Sequence, residues 1–275
     1  MRETRIANGE WRMGGATSLS IRYSLFTIRF AAAVLALSPL TAHADQRADF
    51  LGGSTRNCQR CDLAGANFKR HDLAGADLTG ANLHEANFHD ANLAGAHLAG
   101  ADLTGANLNK ADLRRADLAG AKLNDAMLYA ANLDGARLAG ADLTDALMGT
   151  ARLTRSDLTK TILRNADLRR ARLADAILVG ADLTAAALDF AVLRAAKLDG
   201  ATLVQARLIE AECNDASLVG ADLSDADASG ANLRGANFTR ANLAGASFRK
   251  ADLYDARLDQ AIFKDTTMPD GTTQP

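Results

Sequence analysis

From Cys61 to Asp265 a mostly apolar residue stands at every fifth position, usually with Ala two places before it and with polar residues filling most of the gaps. Taking that residue as position i, the stretch holds 41 consecutive pentads without an insertion or deletion. The centres are 33 Leu, five Phe (Phe68, Phe88, Phe238, Phe248, Phe263), Met148, Cys213 and Ala228. Ala occupies i−2 in 37 pentads, the exceptions being Cys61, His71, Ser156 and Thr161.

The period decides the element. Ala, Leu, Arg and Lys favour helix by propensity. Five residues advance a helix by about 500°, however, so successive Leu would scatter around its surface. A continuous strand fails as well, because side chains alternate with period two and five is odd. Within one pentad, i−2 and i do share a strand face. A chain that turns after each pentad brings every such pair to one axis. Position i+2 is Gly in 15 pentads, which suits a turn with positive φ. Position i−1 is Asp or Asn in 22, which suits an outward residue beside a bend. The pattern predicts a solenoid read as in, out, in, turn, turn.

The phrases "ADLTG", "ANLHE", "ANLAG" and "ADLRR" resemble the pentapeptide-repeat family, and the resemblance covers 205 of 275 residues. It implies an all-β fold, a right-handed quadrilateral β-helix of four pentads per coil and about ten coils. Leu or Phe at i and Ala at i−2 would fill the axis. Coils stacked about 4.8 Å apart would give a rod about 50 Å long. The open ends of such a stack need caps.

Residues 1–44 differ from the repeat. A lead with Arg2, Arg5, Arg12, Arg22 and Arg29 precedes the apolar run Phe30–Leu40 and the small-x-small site Ala42-His43-Ala44. These three parts describe a signal peptide cleaved after Ala44. The apolar run is shorter than the roughly 20 residues that span a bilayer. A start at Met13 would shorten the leader to 32 residues. Residues 45–60 then read as an N-terminal cap or linker, 61–265 as the solenoid and 266–275 as a C-terminal cap or tail.

In an exported chain Cys58 and Cys61 are expected to form a disulfide, and the resemblance implies such a bracket at the start of some members. The other reading is a zinc site, for which His71, at an inward position, is the only nearby third ligand. Haem attachment is excluded because Asp62, not His, follows Cys61. Cys213, at a centre, reads as a small buried hydrophobe. His84, His89 and His97 fall on outward or turn positions, and the many Asp follow the repeat. A filled axis offers no cleft, so neither an active site nor a cofactor or metal is expected.

Charge adds one feature. The formal net of −2 becomes −5 once the leader is set aside, and residues 151–173 alone carry +5. Within that segment Arg152, Arg155, Arg169, Arg170 and Arg172 are expected along one edge, facing an anionic partner. A second candidate patch is apolar: Met127, Tyr129 and Leu147 should share one face in adjacent coils, with Phe190 and Val192 flanking a turn further on. It would suit a protein partner or a second copy of the chain. The expected function is a non-catalytic structural or protein-interaction module, periplasmic or secreted, of the bacterial envelope, without direct binding of nucleic acid. The resemblance implies an alternative, a DNA-mimicking inhibitor that protects a topoisomerase. That reading requires a cytoplasmic location, which the leader opposes, and the basic segment argues against it.

Overall fold

The structure, a computed structural model, describes residues 46–275. The expected signal peptide and its cleavage site lie outside the described residues. Residues at i−1 bridge in parallel to the residue 20 positions on, from Asn57↔Asp77 to Ser247↔Thr267. One turn of the coil therefore takes four pentads, and the chain forms a β-helix built from single-residue bridges.

One pentad shows how the ladder works. Leu123 N–H donates to Asp142 O at 2.6 Å and Asp125 N–H to Thr144 O at 3.0 Å, both in the next coil. Lys122 N–H donates back to Ala101 O at 2.9 Å, and Ala126 N–H closes the corner on Leu123 O at 3.1 Å. Only the amide at i+1 is left without a backbone partner, and where i−1 is Asp or Asn that side chain supplies one, as in the pentad of Leu103. Asp102 Oδ1 accepts Thr104 N–H at 3.1 Å and Thr104 Oγ1–H at 2.7 Å. This is the physical role of Asp and Asn at i−1: they close an Asx turn that the backbone cannot close alone.

Every i+2 residue from Gly65 to Asp265 has a positive φ, whether Gly or not. Asp125 (φ 58), Thr150 (φ 59) and Phe190 (φ 60) all adopt it. The conformation costs a non-glycine roughly 1–2 kcal/mol. It places the i+2 amide in line with the next coil, and that inter-coil bond holds it there.

The axis is closed by the centres and the i−2 alanines, which are buried throughout the middle coils. Each buried Leu contributes on the order of 2 kcal/mol. The polar exceptions at i−2 are satisfied internally: Ser156 Oγ–H donates to Leu153 O at 2.7 Å and Thr161 Oγ1–H to Leu138 O at 2.9 Å. Ala228 lies one coil below Phe248 and half a coil from Phe238, whose rings meet edge-to-face at 5.9 Å. The small centre is packed against two large ones.

The N-terminal end corrects two expectations. A short helix over 46–51 forms the cap, but residues 56–60 already belong to the coil: Asn57 bridges to Asp77, Cys58 is a buried centre and Arg60 takes the turn with φ 54. His71, expected inward, is exposed. The position 20 residues before it is Leu51 of the cap helix, so no coil lies beneath it, and its Nδ1 rests 3.0 Å from Lys69 O. The cap reaches the core through Phe50, edge-on to Phe68 at 5.8 Å, which stacks on Phe88 at 5.1 Å.

Cys58 and Cys61 are joined, with Cα atoms 5.3 Å apart. Cys213 is buried, and burial, with Glu212 beside it, pushes its thiol up to about 12. Thiol labelling is therefore expected to find no reactive cysteine in the native protein and one after denaturation without reductant. Three labelled thiols in unreduced protein would remove the bridge.

At the other end Thr266–Thr267 (β1) pairs antiparallel with Thr273–Gln274 (β2). This hairpin covers one side of the last coil. Thr266 is buried there, and its hydroxyl donates to Leu243 O at 2.7 Å, as Thr161 does to Leu138.

Candidate interaction surface

Stacking at 20-residue intervals turns each pentad position into a column. Met127 and Leu147 bridge directly, one above the other, on one side of the coil. Tyr129 stands at the corner that follows this side. Arg169 and Arg170 occupy the same corner two coils above it, with Thr150 N–H donating to Arg169 O at 2.9 Å in between. Arg152 and Arg172 bridge directly on the next side. The corner thus joins the apolar patch and most of the cationic one, which the sequence presented as separate.

Local structure explains how apolar residues came to stand here. Met127 replaces the usual Asp or Asn at i−1 and cannot close the turn. Asn109, one coil below, does so instead, its Oδ1 accepting Tyr129 N–H at 2.8 Å. Arg152 is excused in the same way: Asp134 Oδ1 accepts Thr154 N–H at 2.9 Å, while its Oδ2 holds Arg152 Nη2 at 2.6 Å. The Tyr129 ring lies over Gly149, where a Cβ would meet Cδ2 at 3.4 Å. Tyr129, Leu147 and Phe190 are 54%, 51% and 45% exposed.

Asp189 stands on the Tyr129 corner itself, three coils above the tyrosine. It is only 4% exposed and pairs with Arg207 at 3.2 Å, while its Oδ1 finds no hydrogen-bond partner.

The basic segment is more neutral than its sequence implies. Arg152, Arg155, Arg164 and Arg169 pair with Asp134, Asp175, Asp182 and Asp167. Three of those acids lie outside residues 151–173 but stack beside them, which a count along the chain misses. The two bonds from Arg169, at 2.8 and 2.6 Å, hold the Asp167 carboxyl below the usual carboxylate range, with partial burial opposing them. Among the described residues Lys110, Lys160, Arg170 and Arg172 have no carboxylate within 4.0 Å. Arg170 lies over the Phe190 ring, 5.4 Å from its centroid.

Arg155 departs from the expected edge. It stands at the far corner of the side that carries Arg152 and Arg172, where with Arg114 and Arg115 these residues line an open groove of about 880 Å³. Arg114 and Arg115 were missed in the sequence; the signal was their spacing of 40 from Thr154 and Arg155, two full coils. His84 and His97 are exposed and His89 half-buried. Among the described residues no group of three His, Cys, Asp or Glu is placed to hold a metal ion.

Comparison with known proteins agrees with this architecture. The profile described as pentapeptide repeats matches residues 57–95, 86–125, 107–148, 151–188, 186–225 and 226–265. No curated protein matches the chain. Among solved structures the chain is similar to HetL, a pentapeptide repeat protein involved in heterocyst differentiation regulation from the cyanobacterium Nostoc sp. strain PCC 7120. The two are 35% identical with a TM-score of 0.63, over 84% of this chain and 98% of that one. A pentapeptide repeat protein of the Arabidopsis thaliana thylakoid lumen is 35% identical over 43% of this chain and 72% of that one, with a TM-score of 0.27. From its repeat, its register, the profile match and the likeness to HetL, the chain belongs to the pentapeptide-repeat family.

Proposed function

We propose that this protein is a non-catalytic interaction module, exported to the bacterial envelope, whose partner docks on the corner between Met127 and Arg172. The finer architecture belongs to the same reading: a right-handed, four-sided coil of about ten turns. The 20-residue register supports it, since four pentads complete each turn. The observation that carries the function is the corner itself, where exposed Tyr129, Leu147 and Phe190 adjoin unpaired Arg170 and Arg172 on a chain of acidic balance. The expected anionic partner, or a second copy, would meet this surface. A DNA mimic needs a continuous acidic face, and the cations of this corner oppose that reading.

Fractionation of the native host, with N-terminal sequencing and a photo-cross-linker at position 129, tests the proposal. The expected product begins at Asp45 in the envelope fraction and cross-links through position 129. A cytoplasmic product that retains residues 30–40 would overturn export and reopen the DNA-mimic alternative.

A further inference from the structure

Of the eight large hydrophobic residues that are well exposed among the described residues, Leu51 belongs to the cap and Tyr254 and Ile262 to the last coil. Three of the remaining five, Tyr129, Leu147 and Phe190, line one corner. Tyr129 and Phe190 are three coils apart on that corner, about 14 Å by strand spacing. Lys110 stands one coil below Tyr129, and Arg170 one coil below Phe190.

Between Lys110 and Val192 each acid near this corner is paired with a cation, although one oxygen of Asp189 keeps no hydrogen-bond partner. Asp167 is held by both ends of the Arg169 guanidinium, and Asp189 is buried against Arg207. Asp134 is taken by Arg152 and by the Thr154 amide. From Lys110 to Val192, the corner and the centre lines of the two sides that meet there present apolar side chains, small or amide residues, cations, and carboxylates already paired. Beyond these limits the same corner turns acidic, with Asp90, paired to Arg70, one coil below Lys110 and exposed Glu210 one coil above Phe190; Glu85, Asp215, Asp225 and Asp255 stand exposed at other corners.

Apolar side chains projecting between unpaired cations match one kind of partner well. A bilayer takes aromatic and aliphatic groups at its headgroup level, while Lys and Arg rest on lipid phosphates. An aqueous polyanion would reward the cations but leave Tyr129, Leu147 and Phe190 in water. The Arg170 guanidinium over Phe190 keeps charge and ring together at the place where headgroup and acyl chain meet.

We infer that the corner carrying Lys110, Tyr129, Leu147, Arg170, Arg172 and Phe190 is a peripheral docking surface for a bilayer rich in anionic lipid. This rests on the interaction-module reading and names its partner as a lipid surface. The side chains concerned are already exposed, so neither insertion nor a folding step is required.

The test is co-sedimentation of the full chain with vesicles of phosphatidylcholine, alone or with about one third phosphatidylglycerol. Every variant keeps the same first 44 residues, so their contribution cancels in the comparison. Binding is expected with the anionic vesicles, weaker by on the order of tenfold with the neutral ones and in higher salt. Tyr129→Ser with Leu147→Ser should weaken it on the order of tenfold at every salt concentration. Arg170→Ser with Arg172→Ser should weaken it and flatten the salt dependence. Ile177→Ser with Val179→Ser, on a different corner, should leave it unchanged, and all three variants should keep the parent melting transition. Soluble glycerol phosphate should not compete, which separates a bilayer from a free phosphate. Loss of binding in the Ile177/Val179 variant, full competition by glycerol phosphate, or no preference for anionic vesicles would each overturn the inference. If the corner variants lose a cross-linked protein but keep vesicle binding, the lipid inference fails while the interaction module stands.

Discussion

A Leu123→Asp variant is expected to lose its cooperative thermal transition and the far-UV signal of the native β-helix. Leu123 is fully buried between Leu103 and Leu143, the centres one coil below and above. A carboxylate placed there has no cation and no free N–H within the axis. An unpaired buried charge costs several kcal/mol or more, even after it takes up a proton, against a total stability of about 5–15 kcal/mol for a domain. Lys122, the adjacent residue, points outward and meets only Asp102 at 3.4 Å. Lys122→Ser should therefore change stability by no more than about 0.5 kcal/mol. Circular dichroism and thermal melting of the two variants separate inward from outward within a single pentad. A folded Leu123→Asp protein would mean that the axis admits water.

Phe88→Ala is expected to cost about 3–5 kcal/mol, the usual range for a fully buried ring. Its consequence should be directional. Phe88 stacks on Phe68, and Phe68 meets Phe50 of the cap, so three rings tie the cap helix to the second coil. Removing the innermost ring leaves Phe68 supported on one side only. Hydrogen exchange should rise first over residues 46–75 and stay slow around Leu163, because each coil contacts only its neighbours. Equal loss of protection along the whole chain would show that the coils melt as one unit.

Much of this architecture was legible in the sequence because the signal is a period rather than a propensity. Leu at every fifth position excludes both regular elements, and Gly at i+2 announces the turn. What the sequence hid is the relation between coils. Asp134 reads as one more acid along the chain, yet it closes the turn at Thr154 and holds Arg152. Only the 20-residue register brings them together, and that register was implied by resemblance and not by spacing. The same gap explains the site. Tyr129 and Arg170 are 41 residues apart, so a reading by segment kept them in separate patches. It also placed Arg155 on the wrong corner and passed over Arg114 and Arg115. His71 obeys the repeat in sequence and escapes it in space, because no coil precedes it.

The 20-residue register has a consequence for changes in length. Deleting four consecutive pentads shortens the coil by one turn and returns every later residue to its own column, so the surface loses a slice and keeps its pattern. Deleting a single pentad is as harmless to the axis, since centre still stacks on centre. It nevertheless moves all that follows to the neighbouring side, which would carry Arg170 and Phe190 away from the line of Tyr129. The protein can therefore be lengthened or trimmed like a thread on a screw, and only whole turns leave its markings aligned.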